Sequence, residues 1–438
     1  MELENFLQQQ GAEGRCDSEG AFTIDVKVAE RKLAAFQLPT SQSWILVLVQ
    51  AAHRGGAKHM KVTQRARESI IQISGAQPWS WSDLRSVLDG EPTTDGALLA
   101  YAVVVRALTG HEDLTRFRVK SPDGTSALWS DGRFRIEHSR IEDVLLEGKT
   151  VFEVSHLGEF PERRSVFFEN RRCAREQLVA LGQALVKSCF ASALSLTLDG
   201  LKVPGIHLGG ALPPCHKRVP LVLLPLEDYR IPSIPLSAAL SSAQAELLEE
   251  ASISESSRTL DSQRVLSALL CVSIVLKGRK GFLHQGRAEL AENACDSRLL
   301  WIQDGVVVHS DRLDLGGGLE VRVVLSAAGL RTDLSGLKLV LSDQVKERRQ
   351  MVAEMLRERL TELCRGVESS KEEHRADLFG LSRVNSRQLL WGETWLGRLA
   401  TAWERGPQPQ LGEDQESLER DLLLLGERLY EALARSTL

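Results

Sequence analysis

The sequence contains no hydrophobic run that approaches the length needed to cross a bilayer, so the function classes built on membrane spans are set aside. It has no Cys-x-x-Cys pair. Its seven cysteines (Cys16, Cys173, Cys189, Cys215, Cys271, Cys295 and Cys364) are scattered and odd in number, which excludes the spacing of a zinc finger and argues for a reducing compartment. The opening residues Met1 to Gln10 lack the basic flank and apolar core of a secretory leader, so a cytoplasmic protein is expected. Charge of one sign is also missing. With a formal net charge of −5 spread over 438 residues, nothing draws the whole molecule towards nucleic acid or an anionic membrane.

What is present is an ordinary globular composition, 43% apolar and 26% charged, in a chain long enough for two or three cores. The organising stretch runs from Trp44 to Gly75: an apolar helix closed by Gly55-Gly56, the alternating strand Lys58 to Val62, a polar turn, and the strand Ser69 to Ser74. Before it, Ala21 to Val28 reads as a strand and Ala29 to Phe36 as a short helix. After it, Ser80 with Asp83 marks a helix start, and Asp95 to Gly110 is apolar on every side, the pattern of a buried helix. Short strands then alternate with Asp-Gly turns as far as Val154. Helices first and a meander afterwards predict an α/β sandwich with its helices on one face.

Further on, Asn170 to Lys187 has helical spacing and Ala193 to Leu198 strand alternation, with a turn at Asp199-Gly200. A proline-rich excursion at 204–235 predicts extended or loop structure, and Ser237 to Ser257 a helix. Strands resume from Val265 to Leu325. Asp343 to Cys364 is an amphipathic helix with Val345, Val352, Leu356, Leu360 and Leu363 on one stripe, and Ser417 to Leu433 is another.

The order of these motifs resembles the GHKL superfamily, named for gyrase, heat-shock chaperone, histidine kinase and the mismatch-repair protein MutL. Gly56-Ala57 aligns with the pair that ends the family's pocket helix. Asp95-Gly96 looks like its phosphate-loop turn, and Gly148 to Val154 with Pro161 to Arg164 like the end of its ATPase domain. The resemblance implies an α+β chain of three parts. These are a GHKL (Bergerat-type) α/β sandwich over 1–160, a second domain of ribosomal-protein-S5-like transducer type over 161–342 with an insertion at 204–235, and a helical C-terminal region over 343–438.

The same resemblance shows which chemistry is missing. The family's catalytic glutamate falls on Val47, its magnesium-holding asparagine on Ala51, a following aspartate on Arg54, and the adenine-binding aspartate on Gly75. Alanine offers magnesium no oxygen ligand, and valine cannot orient a water. Glu68 and Asp83 are the nearest acids for a shifted register. Lys277 or Lys280 would correspond to the family's phosphate-contacting lysine, against the plainer reading of a solvated turn. Arg54 reads either as a replacement phosphate group or as an arginine favoured by the helix dipole. His53 and His59 lack a third metal ligand, and Gly316 to Gly318 precedes a strand, so it reads as a hairpin turn. Ser155-His156 and Cys215-His216 are neighbours in sequence, which is not the relation of a nucleophile to its base.

The expectation is therefore a pseudo-ATPase scaffold with no catalytic residues and no metal site, needing neither ATP nor magnesium. It would bind a protein partner, or a second copy, through the C-terminal helices and Trp391, Trp395 and Trp403. The alternatives are an ATP-dependent chaperone using unfamiliar ligands, which would be an ATP hydrolase, and a MutL-like clamp on nucleic acid, against which the acidic charge argues.

Overall fold

The computed structural model describes residues 38–40, 42–65, 68–110, 116–130, 132–137, 148–156, 164–203, 216–235, 265–278, 288–290, 295–316, 318–368 and 414–435. The expected strand and helix before residue 37, the helix at 237–257, Lys280 and the three C-terminal tryptophans lie outside them. The fold is mixed α+β. Among the described residues, no helix is long and apolar enough to cross a membrane.

The first unit follows from local chemistry. Helix α1 (Trp44–Arg54) ends in a glycine-dependent cap: the Gly56 amide donates to the His53 carbonyl at 3.0 Å and the Ala57 amide to the Ala52 carbonyl at 2.9 Å. That pair of bonds requires a left-handed residue, and Gly56 has φ +71°. Strands β1 (His59–Arg65) and β2 (Glu68–Ser74) form the expected hairpin. Helix α2 (Trp81–Leu88) begins with a reciprocal Ser80–Asp83 capping box. Helix α3 (Gly96–Thr109) is capped by Asp95, whose carboxylate accepts from the Ala97 and Leu98 amides at 2.8 and 3.1 Å.

Strands β3 (Arg116–Lys120), β4 (Ser126–Ser130), β5 (Arg133–Glu137) and β6 (Thr150–Ser155) follow. Helix α4 (Arg164–Ser188) then leads to β7 (Ser195–Leu198) and β8 (Leu201–Lys202). The eight strands make one mixed sheet in the order β5-β4-β3-β6-β2-β1-β7-β8, with β7 parallel to β1. Its apolar face (Met60, Val62, Ile71, Ile73, Phe117, Val119, Phe152, Val154) shares one core with α1, α2, α3 and residues Leu181 and Leu185 of α4. The helices thus lie on one face, as the alternation predicts. The sheet does not stop at the expected boundary of residue 160; it continues to Lys202.

The second unit contains β9 (His216–Leu226), β10 (Ile234–Pro235), β11 (Val265–Leu266), β12 (Ala268–Gly278), β13 (Ala288–Leu290), β14 (Arg298–Gln303), β15 (Val306–Arg312) and β16 (Leu319–Ser326). Strands β13, β12, β16, β14 and β15 lie side by side in that order, and β9 adds to β12. The proline-rich stretch is therefore partly a strand. Pro220 and Pro225 are tolerated because, among the described strands, β9 pairs only with β12, and the register slips opposite Val272/Ser273, next to Pro220. Gly316 to Gly318 does not form a hairpin turn. Strand β14 lies between β15 and β16, so the connection crosses its end, and Ser297 holds both sides: its carbonyl accepts from Leu313 and its hydroxyl from Val321.

Helices α5 (Asp343–Glu368) and α6 (Asp414–Arg435) cover one face of this sheet. The stripe expected to meet a partner is buried inside the chain instead: Val345, Val352, Leu356 and Leu360 share a core with Trp301, Val321 and Val323 and with Leu422, Leu425, Leu429 and Leu433 of α6. The two helices approach closely at Gly426, where a Cβ would stand 3.5 Å from that of Leu360. Helices α5 and α6 are therefore part of the second core. Truncating Leu429 to alanine is expected to cost about 2–5 kcal/mol in denaturant unfolding, because the two-helix layer cannot close over the cavity. A separate helical appendage would lose much less.

Candidate functional site

The helix–hairpin cleft is closed by carbon. Val47 is 3% exposed and Ala51 fully buried, both in the core that α1 shares with α3 and the sheet. Gly75 has φ +77°, and a Cβ there would come within 3.1 Å of the Lys58 side chain, so a carboxylate at this position needs a strained backbone and a displaced lysine. Gly96 faces Arg54, whose Cδ would lie 3.7 Å from an added Cβ. The two acids considered for a shifted register are committed elsewhere. Asp83 caps α2, and the hydrogen bond from the Ser80 hydroxyl, reinforced by the Ser80 amide, holds it below the ordinary carboxylate range. Glu68 lies 3.8 Å from Arg65 on the opposite, polar face of the sheet.

Arg54 stands exposed in the last turn of α1, where the dipole reading places it, and it also makes a contact that neither reading foresaw. Its Nε donates to Asp304 Oδ2 at 2.8 Å, joining the last turn of α1 to the β14–β15 turn across 250 residues of sequence. His53 Nδ1 stands 4.0 Å from the other oxygen of Asp304. One turn earlier, the buried Gln50 side chain donates to the Gly336 carbonyl at 2.9 Å. Val306 and Leu337, from the second unit, are buried in the first core. Asp304 and Gly305 both have positive φ, 49° and 76°, the hairpin geometry that Asp-Gly favours. A Cβ on Gly305 would meet Ser192 Oγ at 2.6 Å, so the turn is seated tightly beside the α4–β7 connection. The partners Asp304 and Gly336 escaped sequence reasoning; the only signal was the Asp-Gly pair between two alternating strands.

The remaining candidates are placed as follows. His59 is exposed at the start of β1. Lys277 pairs through its backbone with His216 and Glu289 near the end of β12. His156 does not act with its neighbour Ser155; its Nε2 lies 2.8 Å from the hydroxyl of Ser69. Ser69 is wholly buried, so this serine and histidine join β2 to the end of β6 and present no nucleophile to a substrate. A depression of about 370 Å³ lies on α4, lined by Arg175, Glu176, Val179, Ala180 and Gln183, away from the cleft. Among the described residues no group of three His, Cys, Asp or Glu side chains is disposed to hold a metal ion. No protein-family model matches the chain, and no curated protein matches it significantly.

The Arg54–Asp304 pair is partly exposed, with side chains 31% and 25% accessible, so its contribution belongs to the lower range of charge-assisted hydrogen bonds. Replacing Arg54 with alanine is expected to cost roughly 1–2 kcal/mol and to speed amide exchange in both the β14–β15 turn and the end of α1. Exchange changes confined to α1 would show that the pair does not join the two units.

His53 adds a pH dependence. Burial, with Arg54 adding to it and Asp304 opposing, lowers its pKa, so the folded state disfavours the imidazolium. Its contribution is full above the ordinary histidine value of about 6.5 and is lost as pH falls from there towards the lowered folded value. His53→Gln should flatten stability between neutral and mildly acidic pH, as read from urea midpoints. An unchanged slope would remove His53 as its source.

Proposed function

We propose that this chain is a non-catalytic scaffold or regulatory subunit, a pseudo-ATPase that keeps a GHKL-type sandwich and a transducer-like second unit and acts through protein contacts. The observation that carries this reading is the burial of Val47 and Ala51, since a working pocket needs oxygen atoms open to a nucleotide where these two side chains pack into carbon. The conformation of Gly75 supports it, because the adenine-accepting carboxylate has no unstrained place to stand. So does Arg54, whose guanidinium is held by the second unit where a phosphate-binding group would need to be free. The eight-stranded sheet with helices on one face is compatible with the sandwich, and the sheet covered by α5 and α6 is the part we assign to the transducer.

Thermal melting with and without millimolar ATP and magnesium tests the proposal. Ligand at a hundredfold over its Kd would stabilise the protein by about 2.7 kcal/mol, a shift of several degrees. The expected result is no shift and no phosphate release. A shift, or turnover abolished by replacing an acid near the cleft, would establish the ATP-driven alternative.

A further inference from the structure

Val179 and Val186 of α4 and Leu201 of β8 are 50%, 42% and 76% exposed, an unusual cost for three large apolar side chains on neighbouring elements. Their placement follows from Gly182. A Cβ on Gly182 would lie 3.2 Å from the Leu198 side chain, so the helix backbone rests on β7 at this point. To one side of Gly182 around the helix, Leu181 and Leu185 enter the core that α1 also lines. Val179 and Val186 lie to its other side, away from α1 and towards the outer strand, since the sheet continues from β7 to β8. Leu201 is the register partner of Leu198, so its side chain stands on the helix side of the sheet, one strand further out.

The result is a trough. Gly182 and Leu198 form its floor, the two valines one wall and Leu201 the other. The valines are two helical turns apart, about 10 Å along the axis. Val179 also lines the depression of about 370 Å³ on α4, so the two are continuous. Around the trough the uncompensated charge is positive. Arg175 and Lys187 on α4, and Lys202 beside Leu201, are exposed, and among the described residues none of their side chains has an ion-pair partner. Of the nearby acids, Glu176 is engaged within the chain, and Asp199 accepts from the Gln64 amide at 2.6 Å.

From this we infer that the trough between α4 and β8 is a docking groove for a short amphipathic helix of a partner protein, apolar on one stripe and acidic beside it. Apolar residues two turns apart on that helix would meet Val179 and Val186, with Leu201 closing over its far side. Its flanking carboxylates would face Arg175, Lys187 and Lys202. An added strand fits less well, because β8 offers only two residues of backbone to pair with. A bilayer surface fits less well because the apolar atoms line a recess, which admits a rod better than a plane. The inference rests on the reading of this chain as a protein-binding scaffold, and names the surface and the kind of partner.

The test uses the full chain and three synthetic peptides with leucine at i, i+3, i+4 and i+7. One carries glutamate at the flanking positions, one carries lysine, and the third has the glutamate composition with its leucines scrambled. Vesicles containing phosphatidylserine are a further probe. The glutamate peptide is expected to bind, more weakly as salt is raised, to gain helicity by circular dichroism, and to slow amide exchange along 178–187. The double variant Val186→Asp, Leu201→Asp puts carboxylates on both walls and should weaken binding about tenfold or more. Arg175→Glu with Lys187→Glu should favour the lysine peptide instead. These side chains are exposed, so an unchanged melting temperature checks each fold. No binding of the glutamate peptide, equal binding of the scrambled one, or insensitivity to both double variants would each overturn the inference. So would vesicle binding, or self-association by light scattering, that the Val186→Asp, Leu201→Asp variant abolishes. Nucleotide binding is measured without peptide, so an ATP-dependent shift would overturn the scaffold reading separately from failure of the peptides to dock.

Discussion

Helix α1 buries eight of its eleven residues, and the rest of the first unit is arranged around that fact. One side of it meets α3 and the sheet through Val47, Leu48 and Ala51, and its last turn meets the second unit through Gln50, His53 and Arg54. Only Leu46, His53 and Arg54 of this helix lie outside the buried set. Polar side chains at Val47 or Ala51 would be desolvated without partners, a cost of order 1–3 kcal/mol each.

The junction between the units is built from few contacts of different kinds. Val306 and Leu337 provide apolar burial, Gln50 a neutral hydrogen bond, and Arg54 with Asp304 a charged one. Each is modest, but they share one helix and act together. The α4–β7 connection contributes from the other side, where Ala191 is buried against Leu269 and Ile302 of the second sheet. Movement of the second unit would therefore be felt at α1 directly.

Much of this architecture was legible in the sequence because local signals and tertiary needs agreed. The glycine pair after Arg54, the Ser80–Asp83 cap, the apolar run of α3 and the alternation of β1 to β4 each specify their element without help from distant residues. What failed to show were the long-range choices. Gly316 to Gly318 looks like a hairpin turn because strands flank it, but the insertion of β14 between β15 and β16 is decided by which strands pair, and periodicity carries no information on pairing. The proline-rich stretch reads as extended or loop structure, and its pairing with β12 is another such choice; at an edge proline's missing amide costs little. The latch was hidden for the same reason: Arg54 and Asp304 are ordinary surface residues until the fold brings them together across 250 positions.

The second unit shows why an amphipathic stripe in sequence is a poor guide to an interface. Helix α5 has the alternating charge and apolar spacing of a helix that seeks a partner, and its partner is its own sheet together with α6. Arg348 makes that docking directional: its buried guanidinium donates to the Ser326 and Ala328 carbonyls at 3.0 and 2.8 Å, at the end of β16. A buried arginine that loses such acceptors is left with unsatisfied charge, so sliding the helix along the sheet is opposed even where the apolar contacts would tolerate it. With this stripe consumed internally, the apolar spacing of α5 serves its own core, and Lys346, Glu347, Glu354 and Glu358 between the stripe positions are left to solvent.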